Sequence, residues 1–302
     1  MSFTRSQCIH EGYEADVLEL QPARGTSLSC LVLFIPGNPG LPGFYEPFLE
    51  HIYASLESRA IISAISQLAH CPASRLPSPS TCPSLDEQIR SKARFIREKQ
   101  GEHPSLPTVV VGHSLGGWMI AQIMKNHPEL SFQSILLFPS LSNMALTPNG
   151  LRMRYFLTSP VASIVSQICR LLKLLPSSMI LPLVRLVTGH NEQGVKVSAQ
   201  LASSPATVWS TIVMGEEELA RVREPDLITL EKCGKRIRCY WSRVHEDGWT
   251  SEADVADIKG AIERGGGVAL RCIEGVKHDF CTSDKHSKYM ADICAQWIRE
   301  VL

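Results

Sequence analysis

The sequence predicts an α/β fold, a mostly parallel central sheet flanked by helices, with a helical segment inserted near one end of the strands. Three observations predict it. Short apolar runs alternate with helical stretches along most of the 302 residues, the pattern of a doubly wound sheet. The alternation fails between about residues 140 and 230, where helices and turns follow one another without a convincing strand. The run "TVVVGH" stops at Gly112-x-Ser114-x-Gly116, and a helical stretch follows at once.

Taken in order, "YEADVLEL" and "LSCLVLFI" read as an opening hairpin joined by a Pro/Gly/Ser turn. "AIISAIS", "TVVVGH", "SILLFP", "RIRCYW" and "GVALRCIE" follow as short apolar strands, the kind buried on both faces of a parallel sheet. Helical patterns lie between them: "FYEPFLEHIYASL", "SLDEQIRSKARFIREK", the stretch after Ser114, "SEADVADIKGAIERG" and "KYMADICAQWIREVL". The expectation is one domain over 1–302, with 140–230 inserted in it as a helical cap. In an open α/β sheet such an insertion overhangs the carboxyl ends of the strands, where ligands bind. The Pro/Ser-rich stretch "AHCPASRLPSPSTCPS" reads as an irregular loop.

Thirty basic residues balance thirty acidic ones, so nothing in the charge points to nucleic acid. Ten cysteines are scattered without a CxxC pair, several inside apolar runs where a small buried thiol fits. The first twenty residues contain no apolar signal core, and the expectation is an intracellular, reducing setting. Zinc held by His70 with Cys71 or Cys82 is the metal reading available, and unpaired thiols are preferred to it. Residues 155–189 are strongly apolar, but Pro160, Pro176 and Pro182 with Arg170, Lys173 and Arg185 interrupt them too often for a membrane span.

Gly112-x-Ser114-x-Gly116 between a strand and a helix is the pattern of a nucleophile elbow. The turn is so sharp that side chains two residues either side of the serine would clash, and the helix N-terminus beneath favours developing negative charge. A nucleophilic serine needs a base, and the base an orienting acid, in the chain order Ser, acid, His. His10, His51, His70 and His103 precede the serine, His113 lies within the elbow pointing away from Ser114's side, and His127 ends the elbow helix. His190 falls in the cap and His286 starts the final helix, which leaves His278, just beyond the last strand, as the base. Asp247 and Glu246 both follow the penultimate strand. Asp247, ahead of Gly248 and Trp249 in a turn, is preferred, with Glu246 as the alternative. His245 shares that loop but stands out of order for a base, while Asp254 and Asp257 fall on the next helix. The position after "SILLFP" offers Ser140 and Ser142 but no carboxylate. For the oxyanion, the backbone N–H of Leu115 is one donor and that of Asn38, in the turn "PGNPG" after an early strand, is the other.

"FIPGNPGLPGFYEPFLEHIY", "SLDEQIRSKARFI", "VVVGHSLGGWMIAQIM" and "LLFPSLSNMALTPNG", with "DGWTSEAD" and "VKHDF", resemble the lipid droplet-associated hydrolase family of α/β-hydrolase-fold serine hydrolases. The resemblance covers most of the chain. Its Pro-Gly-Asn-Pro-Gly turn, where many relatives of the fold carry His-Gly, is more specific than the elbow. It implies an α/β-hydrolase fold, Ser114 as nucleophile, Asp247 as acid and His278 as base. It also implies association with a lipid droplet or endoplasmic reticulum surface, and action on apolar esters such as sterol esters or acylglycerols. Neither a metal nor an organic cofactor is called for. Two other functions fit the same residues: a thioesterase, acyltransferase or tailoring hydrolase of an apolar metabolite, and a droplet-surface protein with little catalysis. The cap segment "ASIVSQICRLLKLLPSSMILPLVRLV" suits either a lid over an acyl pocket or a lid that also faces lipid, its basic residues snorkelling outward.

Overall fold

The computed structural model describes residues 2–72, 82–243, 247–271 and 275–302. Eight strands form one sheet: β1 Thr4–His10, β2 Tyr13–Leu20, β3 Cys30–Ile35, β4 Ala60–Ile65, β5 Thr108–His113, β6 Gln133–Leu137, β7 Ile237–Trp241 and β8 Val268–Arg271. Their spatial order is β1-β2-β4-β3-β5-β6-β7-β8. Every pair from β4 to β8 is parallel, and β2 pairs antiparallel with both of its neighbours.

The expected opening hairpin is not formed as the sequence suggested. β2 turns back on β1, with His10 opposite Tyr13, and its other edge meets β4. β3 lies beyond β4 and pairs in parallel with β4 and β5. The reason is burial: β3 is buried at all six positions and belongs where both sheet faces are covered. β1 is exposed along most of its length, so it carries no apolar stripe for the eye to find.

Alternate residues of β3 feed two cores. Leu31, Leu33 and Ile35 pack with α2 (Leu85–Glu102) and α3 (Leu115–Asn126) through Ile96, Met119 and Ile120. Val32 and Phe34 face the other way, onto α1 (Glu46–Ser55) and the last helix through Phe48, Leu49 and Trp297. Each fully buried aliphatic or Phe side chain contributes about 1.5–3 kcal/mol of transfer free energy, so this double-sided burial fixes the sheet as the platform for what stands on its edge. α2 begins with a capping box in which Ser84 and Glu87 satisfy each other's backbone N–H.

Between β6 and β7 run α4 Pro148–Met153, α5 Ser159–Leu172, α6 Ser177–Thr188, α7 Glu192–Ala202, α8 Pro205–Arg221 and α9 Leu227–Lys232, with no strand among them. α8 packs on α5 and reaches α2, whereas α9 packs on α3 and on α10 (Glu252–Arg264) beside the sheet. α11, Asp284–Val301, closes the chain against α1. Among the described residues no helix is long and apolar enough to cross a membrane.

Candidate active site

The end of β5 turns into α3 in a single residue, and that residue is Ser114. Its φ of 53° and ψ of −121° lie in a region that side chains avoid, a strain of about 1–3 kcal/mol. The backbone holds it there. Ser114 N–H donates to Leu137 O at 3.0 Å, and Gly117 N–H donates to Ser114 O at 2.9 Å. A Cβ on Gly116 would stand 2.2 Å from Ile35 O, and one on Gly112 would stand 2.7 Å from the Gly116 carbonyl carbon. Both flanking glycines are therefore required by close approach, as the elbow pattern demands.

His278 follows β8 and Asp247 follows β7, so the parallel order of β5, β6, β7 and β8 carries all three residues to one end of the sheet. Ser114 Oγ–H donates to His278 Nε2 at 2.9 Å. On the other side of the ring, Asp247 Oδ1 lies 2.9 Å from His278 Nδ1. Asp247 Oδ1 also accepts from Trp249 N–H at 3.0 Å, which aims the carboxylate inward. The His278 side chain is 15% exposed and that of Asp247 not at all. Burial pushes the His278 pKa down, but the charge and contact of Asp247, with Asp279 and Glu218 adding to them, more than reverse this and leave it raised. Glu246 and His245 lie outside the described residues.

The turn at 36–40 stands directly against Ser114: a Cβ on Gly37 would fall 2.7 Å from Ser114 Cβ. Asn38 follows, joined to Pro39 by a cis peptide. Leu115 opens α3, so its N–H has no carbonyl within the helix to bond. The turn is braced from beneath, where Gln67 Nε2 donates to Pro36 O at 2.8 Å and His70 Nδ1 donates to Pro39 O at 2.7 Å. His70, weighed as a zinc ligand, thus meets a carbonyl, and burial drives its pKa down to about 4. Among the described residues no three His, Cys, Asp or Glu side chains gather as a metal site. The nine described cysteines form no disulfide.

Four neighbours of the site escaped sequence reasoning. Ser140 places its hydroxyl 3.2 Å from Ser114 Oγ, from the position after β6 that holds no carboxylate. His113 Nε2–H donates to His278 O at 2.9 Å, and Tyr45 Oη–H donates to His113 Nδ1 at 2.7 Å. Glu218 on α8 is 2% exposed and meets Asn38. None carries a local signal, because each acts across at least 26 residues of sequence.

Comparison with known proteins fits this geometry. The family model described as "Lipid-droplet associated hydrolase" matches residues 28–281. The chain belongs to that family. A lipid droplet-associated hydrolase of Gallus gallus is 27% identical over 293 residues, covering 90% of this chain and 85% of the other. One of Homo sapiens is 26% identical over 290 residues with the same coverage. The family's fold is equally plain in solved structures. A soluble variant of monoglyceride lipase from Saccharomyces cerevisiae aligns with a TM-score of 0.64 at 12% identity, over 99% of this chain and 96% of that one. A thioesterase domain from the curacin biosynthetic pathway aligns with a TM-score of 0.66 at 13% identity, over 97% and 99%. At such identities the likeness shows the α/β-hydrolase fold.

Proposed function

We propose that this chain is a serine ester hydrolase acting on apolar, lipid-type esters such as sterol esters or acylglycerols. The observation that carries the reading is the line Ser114 Oγ, His278 Nε2, His278 Nδ1, Asp247 Oδ1, with 2.9 Å at each end. Ser114 attacks the acyl carbonyl as His278 takes its proton, and the buried Asp247 carboxylate stabilises the imidazolium. The N–H groups of Leu115 and Asn38 receive the oxyanion, and Ser140 Oγ–H donates to Ser114 Oγ, whose own proton is turned to His278. His278 then protonates the departing alcohol. Water, deprotonated by the same imidazole, attacks the acyl-enzyme, and the acid leaves with Ser114 regenerated.

An apolar substrate is favoured by what borders the site and by the family. Leu157 packs against the Asn38 side of α8, and the Trp249 ring lies 6.5 Å from that of His278. Helices between β6 and β7, within 140–230, act as the cap. On α5 and α6, Leu171, Leu183, Leu186 and Val187 are each more than half exposed, beside Arg170 and Arg185. That surface suits contact with a lipid droplet, the setting named for the relatives.

The test is labelling by a fluorophosphonate, with Ser114→Ala alongside. Labelling that is lost in S114A is expected, and labelling that persists in it would sink the assignment. Comparing turnover of sterol ester, triacylglycerol, short-chain ester and acyl thioester then identifies the bond.

A further inference from the structure

We propose that Glu218 is a positioning residue of this site: through Asn38 it fixes the turn that receives the oxyanion, and its charge backs the imidazolium of His278. The proposal rests on the hydrolase reading above and deepens it. Three glutamates stand in a row on α8, and each has a distinct use. Glu216 accepts from Ser159 N–H at 3.0 Å and so caps α5, and Glu217 accepts from Leu85 N–H at 3.0 Å at the start of α2. Glu218 turns inward instead.

There it is 2% exposed, and its Oε2 accepts from Asn38 Nδ2 at 3.4 Å. The same Nδ2 donates to Thr211 O at 3.1 Å, one face of α8 thus gripping the side chain from two points. Gly215 lies between them, where a Cβ would stand 3.2 Å from Asn38 Nδ2. Asn38 Oδ1 has no partner among the described residues, so the side chain is oriented by α8 alone. Holding that side chain holds the backbone of the turn, and Gly37 in it already touches Ser114. An oxyanion donor is useful only when fixed before the charge appears.

The electrostatics point the same way. A buried carboxylate is costly unless a positive charge or several donors offset it. Among the described residues no Lys or Arg pairs with Glu218, and a neutral amide at 3.4 Å is weak compensation. Asn38, from the turn after β3, and His278, from the loop after β8, are the groups that face it, and Asp247 and Asp279 act on the same imidazole. Burial lifts the carboxyl to about 7, while Asn38 and His278 hold it down. Among the described residues, the cation that offsets it is the imidazolium of His278, which forms as Ser114 gives up its proton. Glu218 therefore favours the transition state over the ground state.

Glu218→Gln keeps the shape and an acceptor for Asn38 but removes the charge, whereas Glu218→Ala removes both. The readouts are the pH dependence of fluorophosphonate labelling and the kcat and KM for a short-chain ester. In E218Q the acid limb should move to lower pH, because the imidazole loses a neighbour that favours its protonation. In E218A kcat should fall up to about a hundredfold, the scale of a misplaced catalytic geometry, with KM little changed. A thermal melt checks that each variant is folded, and E218Q decides the matter where E218A is not. An E218Q profile superimposed on that of the wild type, with kcat unchanged, overturns this proposal alone. Wild-type protein that does not label at Ser114 overturns both this proposal and the hydrolase reading.

Discussion

His113 holds the backbone of His278, its Nε2–H donating to His278 O at 2.9 Å. The residue that precedes Ser114 thus ties the loop of His278 to the elbow from beneath. Burial drives the His113 pKa well below the ordinary value, with the His278 charge adding to the effect, so the ring stays neutral. Neutrality assigns the tautomer: Nε2 donates and Nδ1 accepts from Tyr45 Oη. Phe138 and Phe280 stand edge-on to the ring at 6.0 and 5.1 Å.

From this, His113→Ala should lower kcat by about ten- to a hundredfold through loss of positioning, with KM little changed, in steady-state turnover of a short-chain ester. Tyr45→Phe leaves His113 Nδ1 buried without a donor, and a urea melt should show a loss of about 1–3 kcal/mol. A kcat for H113A equal to that of the wild type would remove His113 from the positioning network.

The pH dependence follows from His278. In the proposed role of base it works only when neutral, and its pKa stands raised because Asp247, with Asp279 and Glu218, outweighs burial. The labelling rate of Ser114 should therefore rise with pH through a midpoint above the ordinary imidazole value of about 6.5. Asp247→Asn should move that midpoint down and cut kcat on the order of ten-thousand-fold. The same shift appears in stability. The His278–Asp247 pair contributes fully below the unfolded imidazole pKa, and its contribution is lost as pH rises through the raised folded value. A midpoint that stays put in D247N would mean that another group sets the acid limb.

Lys92 on α2 offers a stability test far from the chemistry. Its ammonium is fully buried, donating to Ser66 O at 2.7 Å, and burial drives its pKa from 10.5 down to about 7. The folded chain releases this proton near 7 while the unfolded chain keeps it to about 10.4, so Lys92 makes stability rise with pH above 7. The buried thiols, with pKa values raised, act in the opposite sense at still higher pH. Urea melts between pH 7 and 8.5 should therefore show a rising contribution in the wild type that Lys92→Met lacks. Equal slopes in the two proteins would contradict it.

What the sequence made legible was what is local or ordered along the chain. Gly112, Ser114 and Gly116 lie within five residues, and the clashes that demand the glycines are made by the turn itself or by the strand beside it. Asp247 and His278 stand out in the sequence because each follows a strand, and the parallel sheet brings such residues to one end. β1 was invisible because an exposed edge strand need not alternate, and β3 was paired with the wrong neighbour because the crossover to β4 is set by burial of both faces. Glu218 was hidden in "GEEEL", where three glutamates read alike and one is buried. Composition cannot distinguish them, since what separates them is the partner each meets in space.

The helices α5 and α6 present the remaining prediction. Ile164, Ile168 and Leu171 are spaced along one face of α5, and Met179, Leu183 and Leu186 along one face of α6; all are exposed. Spacings of three and four residues put each set on a single stripe, so the exposure is a surface and not a scatter of isolated side chains. Insertion of one Leu into hydrocarbon is worth about 1.5–3 kcal/mol. Replacing Leu171 and Leu186 together by Asp should then weaken partition onto phospholipid-coated triacylglycerol droplets by at least about a hundredfold, the equivalent of two such side chains. These two leucines are 69% and 84% exposed, so the fold and the turnover of a water-soluble short-chain ester should be preserved. Flotation of the variant with droplets measures the first, and ester turnover the second. If the double variant floats as the wild type does, the stripes on α5 and α6 do not face lipid, and the apolar surface serves another contact.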